Sequence, residues 1–200
     1  MIIGLIGNKR VGKDTFANHL VEKYDFIKLA FADPIKEIAS ILFNLNLEDI
    51  KNDSIDKEKK LEGFDISLRE FYQKFGTDIM QNDIYKYFPS LENKIKKKNF
   101  WAVHLFKKIE QYQKQGYKNF IISDVRFLHE VNHICNHNGI LVKINRNTNL
   151  NDTHISENSI NDIPIDYIKY FIDNKGNFKD FIVNIDNCYK KILKNKVKYY

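Results

Sequence analysis

The chain has 200 residues, of which 43% are hydrophobic and 14% aromatic, so it can bury the core of a single folded domain and is not mainly disordered. No apolar run reaches the length of about 18 residues that a membrane helix needs. The polar residues Asn8–Arg10 interrupt the apolar start before it could form a signal peptide. The two cysteines, Cys135 and Cys188, are too few for a disulfide framework. We therefore expect a soluble cytoplasmic protein without a membrane partner, and the net charge of +6 favours anionic partners without distinguishing nucleotides from nucleic acid.

The N-terminal part of the chain predicts two strands that alternate with two helices. Met1–Ile6 is a short apolar run typical of a central strand, and a helix is expected from about Gly12 to Tyr24. A second strand is predicted over Phe26–Phe31. Asp33 is expected to cap the next helix, with Pro34 as its first residue and its end near Phe43.

The middle of the chain is polar and predicts helices without strands. Asn44–Asp65 has no apolar period and predicts a loop or a weak helix. Ser67 is expected to cap a helix whose apolar face includes Phe75 and Ile79, and a further amphipathic helix is predicted over Phe100–Gln113. A cluster of four lysines between these helices is interpreted as a solvated turn: Lys94, Lys96, Lys97 and Lys98.

The C-terminal part returns to alternating strands and helices. Phe120–Ser123 and Ile140–Ile144 predict strands, with a helix between them, and a last strand is expected over Tyr167–Ile172 before a closing helix from Phe178 to Leu193. The alternation predicts an α/β fold with a parallel sheet of about five strands and helices on both faces. Ligands of such sheets bind at the carboxyl ends of the strands.

A phosphate-binding loop is predicted directly after the first strand. The segment Gly7–Thr15 matches the pattern G-x-x-x-x-G-K and lies between an apolar strand and a helix. Its backbone N–H groups and the helix N-terminus would surround the phosphates of ATP, and Lys13 would reach the β- and γ-phosphates. The predicted ATP-binding residues of the loop are Gly7, Asn8, Lys9, Arg10, Val11, Gly12, Lys13, Asp14 and Thr15.

Two carboxylates near this loop are candidate ligands of Mg²⁺. Asp14 follows Lys13 where the generic motif has Ser or Thr, so the hydroxyl of Thr15 is turned by about 100° around the helix. Asp14 either ligates the metal, directly or through water, or only complements the first helical turn. Asp124 ends a predicted strand and is expected to lie beside the loop, where it would organise Mg²⁺ and its waters.

Arginine is scarce in this chain, with four among the 32 basic residues. An arginine that persists under such a bias is expected where a planar, bidentate group is needed, above all at phosphate. We apply this argument first to Arg126, which follows Asp124 closely. The four arginines are Arg10, Arg69, Arg126 and Arg146.

Together, these residues resemble the deoxynucleoside monophosphate kinases of bacteriophages and large DNA viruses, which are P-loop nucleotide kinases. The similar segments follow the order of the family from residue 4 to about residue 157: Gly12–Thr15, Phe31–Glu37, Phe75–Asp78, Ser123–Phe127 with Glu130, and Asp152–Glu157. Two positions depart from the family pattern, namely Gln81 where Arg is frequent and His129 where Asn is usual.

The resemblance implies a three-layer P-loop fold and transfer of the γ-phosphoryl group of ATP, with Mg²⁺, to a deoxynucleoside monophosphate. It implies a single kinase domain over residues 1–200, with an acceptor-binding helical insertion at about 34–100 and a lid at about 147–162, a polar segment that we expect to be mobile. Lys13, Asp124 and Arg126 would be catalytic. The implied acceptor-binding residues are Asp33, Lys36, Arg69, Thr77 and also Arg126. The implied lid residues are Arg146, His154 and Glu157, and Arg146 would also bind ATP. A homodimer is left open, and a viral kinase of this type would act in the host cytoplasm.

Other interpretations of the sequence remain open. His129–His133 is a literal H-E-x-x-H motif, which on a helix places two imidazoles to bind zinc, with Glu130 as the base of a metalloprotease. Asn174–Asn177 resembles a guanine-binding motif but lacks its aspartate, and a turn at Gly176 also explains it. The lysine clusters, including the tail at 190–198, accompany no reader motif, so no specific nucleic-acid binding is expected. A P-loop kinase for another small acceptor also fits.

Overall fold

The computed structural model describes residues 1–146, 159, 160 and 162–197, which divide into two compact units. The first unit contains Met1–Ala30 and the chain from Lys108 onward, and the second contains Phe31–Lys107. The helical insertion was expected at about 34–100, within the second unit. The residues expected to form the lid, including His154 and Glu157, lie almost entirely outside the described residues.

A five-stranded parallel sheet forms the centre of the first unit. Its strands are β1 (Ile2–Ile6), β2 (Ile27–Leu29), β3 (Phe120–Val125), β4 (Ile140–Asn145) and β5 (Ile168–Asp173), in the spatial order β2-β3-β1-β4-β5. Every residue of β1 is buried, because a central strand covered on both faces needs apolar side chains at all positions. The sheet confirms the predicted fold class.

Helices cover both faces of this sheet. The α-helices of the described residues are α1 (Lys13–Tyr24), α2 (Asp33–Leu42), α3 (Leu47–Lys51), α4 (Leu68–Gln73), α5 (Ile84–Tyr87), α6 (Phe100–Lys114), α7 (Leu128–Asn136) and α8 (Phe178–Val197). Phe16 of α1 and Phe181 of α8 belong to the core on one face. On the other face α7 approaches β1 closely, since a Cβ at Gly4 would lie 2.8 Å from Cδ1 of Ile134. None of the described helices is long and apolar enough to cross a membrane.

Some element boundaries differ from the sequence prediction. Asp33 is the first residue of α2 and not its N-cap, a position that Ala32 occupies in a helical conformation without a side-chain cap. Strand β3 continues past Ser123, so Asp124 lies inside the strand. The polar segment after α2 contains the short helix α3, whose first turn is capped by the side chain of Asn46.

Aromatic side chains form much of the core of the second unit. Ser67 caps α4 as predicted, because its hydroxyl accepts a hydrogen bond from the backbone N–H of Glu70 (3.1 Å). Phe71 and Phe75 stack with their ring centroids 5.1 Å apart. The predicted apolar face is wrong at Ile79, which is exposed. The reason is that α4 continues as a π-helix over Lys74–Asp83, whose i to i+5 hydrogen bonds do not return every fourth residue to one face.

A buried hydrogen bond holds this π-helix within the second unit. The indole N–H of Trp101 donates to the backbone carbonyl of Gly76 over 2.7 Å. A side chain at Gly76 would meet Ile35, since its Cβ would lie 2.7 Å from Cδ1 of that residue. The glycine therefore allows α2 and the π-helix to approach each other closely.

A charged network joins α1 to α8 within the first unit. Asp186 bonds to His19 Nε2 (2.7 Å), Tyr24 OH (2.9 Å) and Lys23 Nζ (2.6 Å). Burial by itself raises the pKa of Asp186, but these hydrogen bonds outweigh it and hold the pKa well below its usual range. Because α1 starts at the predicted phosphate loop, the network also stabilises the helix that carries this loop.

We expect Asp186→Asn to lower the melting temperature at pH 7 by about 4–8 °C, because hydrogen bonds to a charged group contribute about 1.5–3 kcal/mol. The lowered folded-state pKa makes this stabilisation fully present above the unfolded-state pKa of about 3.9, and it is lost as the pH falls below that value. Thermal unfolding should therefore show a difference between wild type and variant that shrinks below about pH 4. Asp173→Asn is the matched control, since Asp173 pairs with Lys175 at the surface. An equal loss of stability in both variants would contradict the prediction.

Candidate functional site

The segment between β1 and α1 forms a tight loop whose end requires glycine. Gly12 occupies the N-cap of α1 with φ of 107°, a conformation that L side chains rarely adopt. A Cβ at Gly12 would lie 2.8 Å from both Nδ2 of Asn174 and Cε1 of Phe181. Because Gly12 provides no side-chain cap, the first N–H groups of α1 are directed towards the loop, an arrangement that binds anions.

The Lys13 side chain folds back along this loop. Its Nζ donates to the backbone carbonyls of Gly7 (2.5 Å) and Asn8 (2.8 Å). These contacts hold the ammonium group beside the first turn of α1. A cation in this position complements the negative charge of bound phosphate.

A cavity of about 390 Å³ opens over the loop, entirely within the first unit. Its lining includes the cations of Arg10, Lys13 and Arg146 and the side chain of Thr15. Arg146 directly follows β4, so two adjacent parallel strands deliver the loop and Arg146 to the same edge of the sheet. The structure thus brings together the predicted loop and Arg146 around a space suited to a polyphosphate.

Asn174 lines the same cavity and was missed as a site residue by the sequence argument. Its side chain is buried, and Nδ2 donates to the carbonyl of Val11 in the loop over 2.9 Å. Its backbone N–H donates to the carbonyl of Asn145 (2.8 Å), which ties the loop to the ends of β4 and β5. The remainder of the supposed guanine motif is structural, since Lys175 pairs with Asp173 and the side chain of Asn177 caps the N–H of Asp180.

We expect Asn174→Ala to raise KM for the phosphoryl donor about tenfold. The substitution removes the buried hydrogen bond from Asn174 Nδ2 to the Val11 carbonyl, and the loss of such a bond costs about 1–3 kcal/mol. The kcat should fall less than KM rises, because Asn174 holds the loop and not the reacting group. Steady-state kinetics with varied donor concentration measure both constants. Asn184→Ala, which removes a 3.3 Å hydrogen bond to the Asp173 carbonyl, is the control. An unchanged KM in Asn174→Ala would refute the role assigned to Asn174.

The end of β3 adds a second group of charged residues next to the loop. β1 and β3 are paired in parallel with Val125 opposite Ile6, so Asp124 and Arg126 flank the position where the loop starts. The buried carboxylate of Glu130 accepts hydrogen bonds from the backbone N–H groups of Arg126 (2.7 Å) and Phe127 (3.0 Å). Burial and the charge of Asp124 raise the pKa of Glu130 to about 8, against the opposing effect of these hydrogen bonds.

Oxygen donors suitable for Mg²⁺ are present, and one of them, Asp14, forms an ion pair. Its carboxylate is exposed and pairs with Lys28 Nζ at 2.8 Å. The hydroxyl of Thr15 and the carboxylate of Asp124 fit the preference of Mg²⁺ for hard oxygen ligands, which the substrate phosphates complete in kinases. The described residues contain no cluster of three or more His, Cys, Asp or Glu side chains that could hold a metal alone.

The H-E-x-x-H motif does not form a zinc site in the described part of the chain. Glu130 caps its own helix, and the His129 ring stacks on Phe127 with centroids 5.4 Å apart. His133 and His137 stack near the end of α7, and burial together with His137 lowers the pKa of His133. No third ligand joins them among the described residues, so the geometry does not favour a metalloprotease.

The residues expected to bind the acceptor lie in the second unit. Asp33 and Lys36 are half-buried in the first turn of α2. Arg69 forms an ion pair with Glu58, and Thr77 is exposed on the π-helix. Their proposed contact with an acceptor stays a prediction.

The chain is similar to known proteins over most of its length. A family model described as deoxynucleotide monophosphate kinase matches residues 1–67 and 51–185. A protein of Acanthamoeba polyphaga mimivirus with the provisional name deoxynucleotide monophosphate kinase is 32% identical over 192 residues, which cover 94% of this chain and 95% of that protein. The dephospho-CoA kinase from Campylobacter jejuni is similar in structure, with a TM-score of 0.51 over 98% of both chains at 15% identity. This last likeness confirms the P-loop kinase fold alone.

Proposed function

Because this chain belongs to the deoxynucleotide monophosphate kinase family and is therefore a nucleotide kinase, we propose that it transfers the γ-phosphoryl group of ATP to a deoxynucleoside monophosphate. The products are ADP and the deoxynucleoside diphosphate. The observation that carries the proposal is the cavity over the N-terminus of α1, where Arg10, Lys13 and Arg146 converge.

The triphosphate of ATP binds in this cavity. Backbone N–H groups of the loop and the first turn of α1 hold the phosphate oxygens, and the dipole of the helix adds positive potential. Lys13 moves its ammonium group from the loop carbonyls to the β- and γ-phosphates. Arg146, which also lines the cavity, neutralises further phosphate charge.

Thr15 and Asp124 would hold Mg²⁺, directly or through water, and Asp14 would be an alternative ligand once its pairing with Lys28 is broken. The metal ion supplies positive charge that neutralises the phosphate oxygens during transfer. This assignment rests on the hydroxyl of Thr15 in the first turn of α1 and on the carboxylate of Asp124 near the end of β3, which pairs with β1.

The acceptor needs no general base. The second pKa of a monophosphate lies near 6, so at pH 7 it is largely a dianionic nucleophile. The protein must instead hold two polyanions together and offset their repulsion, and we assign this role in the first unit to Arg126. In the second unit, Arg69 and Lys36 would bind the phosphate of the acceptor. Asp33 and Thr77 of the second unit would also contact the acceptor.

An assay of ADP release tests this proposal. Purified protein with Mg-ATP is offered each of the ribo- and deoxynucleoside monophosphates, and dephospho-CoA is added as an acceptor of a different class. We expect ADP release that depends on at least one deoxynucleoside monophosphate, with the diphosphate identified by chromatography. Turnover with dephospho-CoA alone would assign another acceptor, and ATP hydrolysis unaffected by any acceptor would refute the kinase proposal.

A further inference from the structure

Glu130 is a buried carboxylate with two backbone partners. Its side chain is 5% exposed, and a single oxygen, Oε2, accepts the hydrogen bonds from the N–H groups of Arg126 and Phe127. A buried ionisable group is costly, and the neighbouring Asp124 carboxylate adds repulsion. The need to cap α7 explains only one of these bonds, because a Glu at the third helical position accepts from the N–H of the N-cap, here Phe127, whereas Arg126 precedes the cap.

The location of these two N–H groups indicates a more specific role. They belong to the residues that join β3 to α7, where the chain leaves the sheet beside the start of the phosphate loop. Capturing both N–H groups fixes the peptide planes on either side of the Arg126 Cα. Because the direction of a side chain follows from its backbone, these bonds determine where the Arg126 guanidinium can reach.

We propose that Glu130 is a positioning residue that orients Arg126 towards the phosphoryl group being transferred, through its hydrogen bonds to the backbone of Arg126 and Phe127. This inference rests on the proposed kinase function. It assigns to Glu130 a role in kcat in addition to the stability of α7. It also explains why Oε2 of Glu130, which accepts the two hydrogen bonds, is buried beside the end of β3.

Three substitutions test whether the oxygen of Glu130 that accepts the two hydrogen bonds is what matters. Glu130→Gln keeps an oxygen at the same reach, so kcat should stay within about threefold of wild type. Glu130→Ala removes the oxygen, and a misplacement of about 1 Å can lower the rate by about 100-fold, so kcat should fall by about 30- to 100-fold. Glu130→Asp keeps the carboxyl group on a shorter side chain and should lose about tenfold, which provides a measurable variant if alanine does not fold.

The readouts distinguish positioning from a purely structural role. The kcat per folded molecule should fall in Glu130→Ala while KM for ATP changes by less than about twofold, because Arg126 is assigned to the transferred group and not to the loop. Amide hydrogen exchange at Arg126 and Phe127 should be slow in wild type and Glu130→Gln and fast in Glu130→Ala. In an Arg126→Ala background, Glu130→Ala should lower kcat no further, since it acts through that arginine.

Asn46→Ala is the matched control, because Asn46 also caps a helix by accepting from two backbone N–H groups, those of Glu48 and Asp49, in the second unit. It should lower stability without the loss of kcat. A normal kcat in Glu130→Ala and Glu130→Asp, or slow exchange at Arg126 that persists without the carboxylate, would overturn the inference alone. A wild-type protein without acceptor-dependent turnover would instead refute the kinase proposal and this inference with it.

Discussion

Replacing Lys13 with alanine is expected to lower kcat by at least about a thousandfold, since a preorganised charge on a transferring phosphoryl group contributes about 10³ or more to the rate. Lys13 Nζ donates to the loop carbonyls of Gly7 and Asn8, and Lys13 lines the cavity, so its ammonium group is held at the loop where the phosphates are predicted to bind. Steady-state and single-turnover assays with Mg-ATP and the preferred monophosphate measure the effect.

Lys169→Ala provides the control for this prediction. Lys169 lies on β5 and donates to the Asp166 carbonyl at the surface, so its loss changes the net charge equally without touching the cavity. Activity should remain near that of the wild type. A Lys13→Ala protein that is folded and turns over at more than about a tenth of the wild-type rate would show that the loop does not bind the transferred phosphate.

Arg126→Lys is expected to lower kcat by about 10- to 100-fold although the charge is conserved. A lysine presents a single point charge and cannot form two parallel hydrogen bonds to phosphate oxygens, as a guanidinium does. Arg126 follows β3 directly, beside the start of the loop, and its backbone is held by Glu130. The measurement is kcat at saturating ATP and acceptor, so that weaker binding does not mask the effect.

Lys143→Arg is a useful control, since it exchanges the same two residue types in the opposite direction, at a position on β4. It should leave kcat unchanged. Near-normal turnover of Arg126→Lys at saturating substrates would refute the argument that the scarce arginines of this chain mark phosphate contacts.

Features that depend on contacts between residues close in sequence could be predicted from the sequence. Gly12 and Lys13 are adjacent along the chain, and the loop that contains them needs only the preceding apolar strand and the following helix. Ser67 could be identified as a cap because its partner, the N–H of Glu70, is three residues away. The fully apolar β1 likewise indicated a strand buried on both faces.

Features that depend on partners distant in sequence could not be predicted in the same way. Asn174 bonds to Val11 across 163 positions, and its segment instead resembled a degenerate guanine motif. The pairing of Asp14 with Lys28 could not be predicted, because it depends on the position of β2 relative to α1, and the role of Asp14 as a metal ligand stays a prediction. Glu130 formed part of a zinc motif in the sequence, whereas its carboxylate caps the helix in the structure.

By itself, the sequence determined the order of strands and helices, the phosphate loop and the resemblance to a kinase family, because each follows from side chains within a few positions of one another. Only the tertiary structure decided which strand ends meet. The order β2-β3-β1-β4-β5 places Arg146 and Asn174 on one side of the loop and Asp124 and Arg126 on the other. No local pattern encodes that order, since strand neighbours are selected by the packing of all the helices on the sheet.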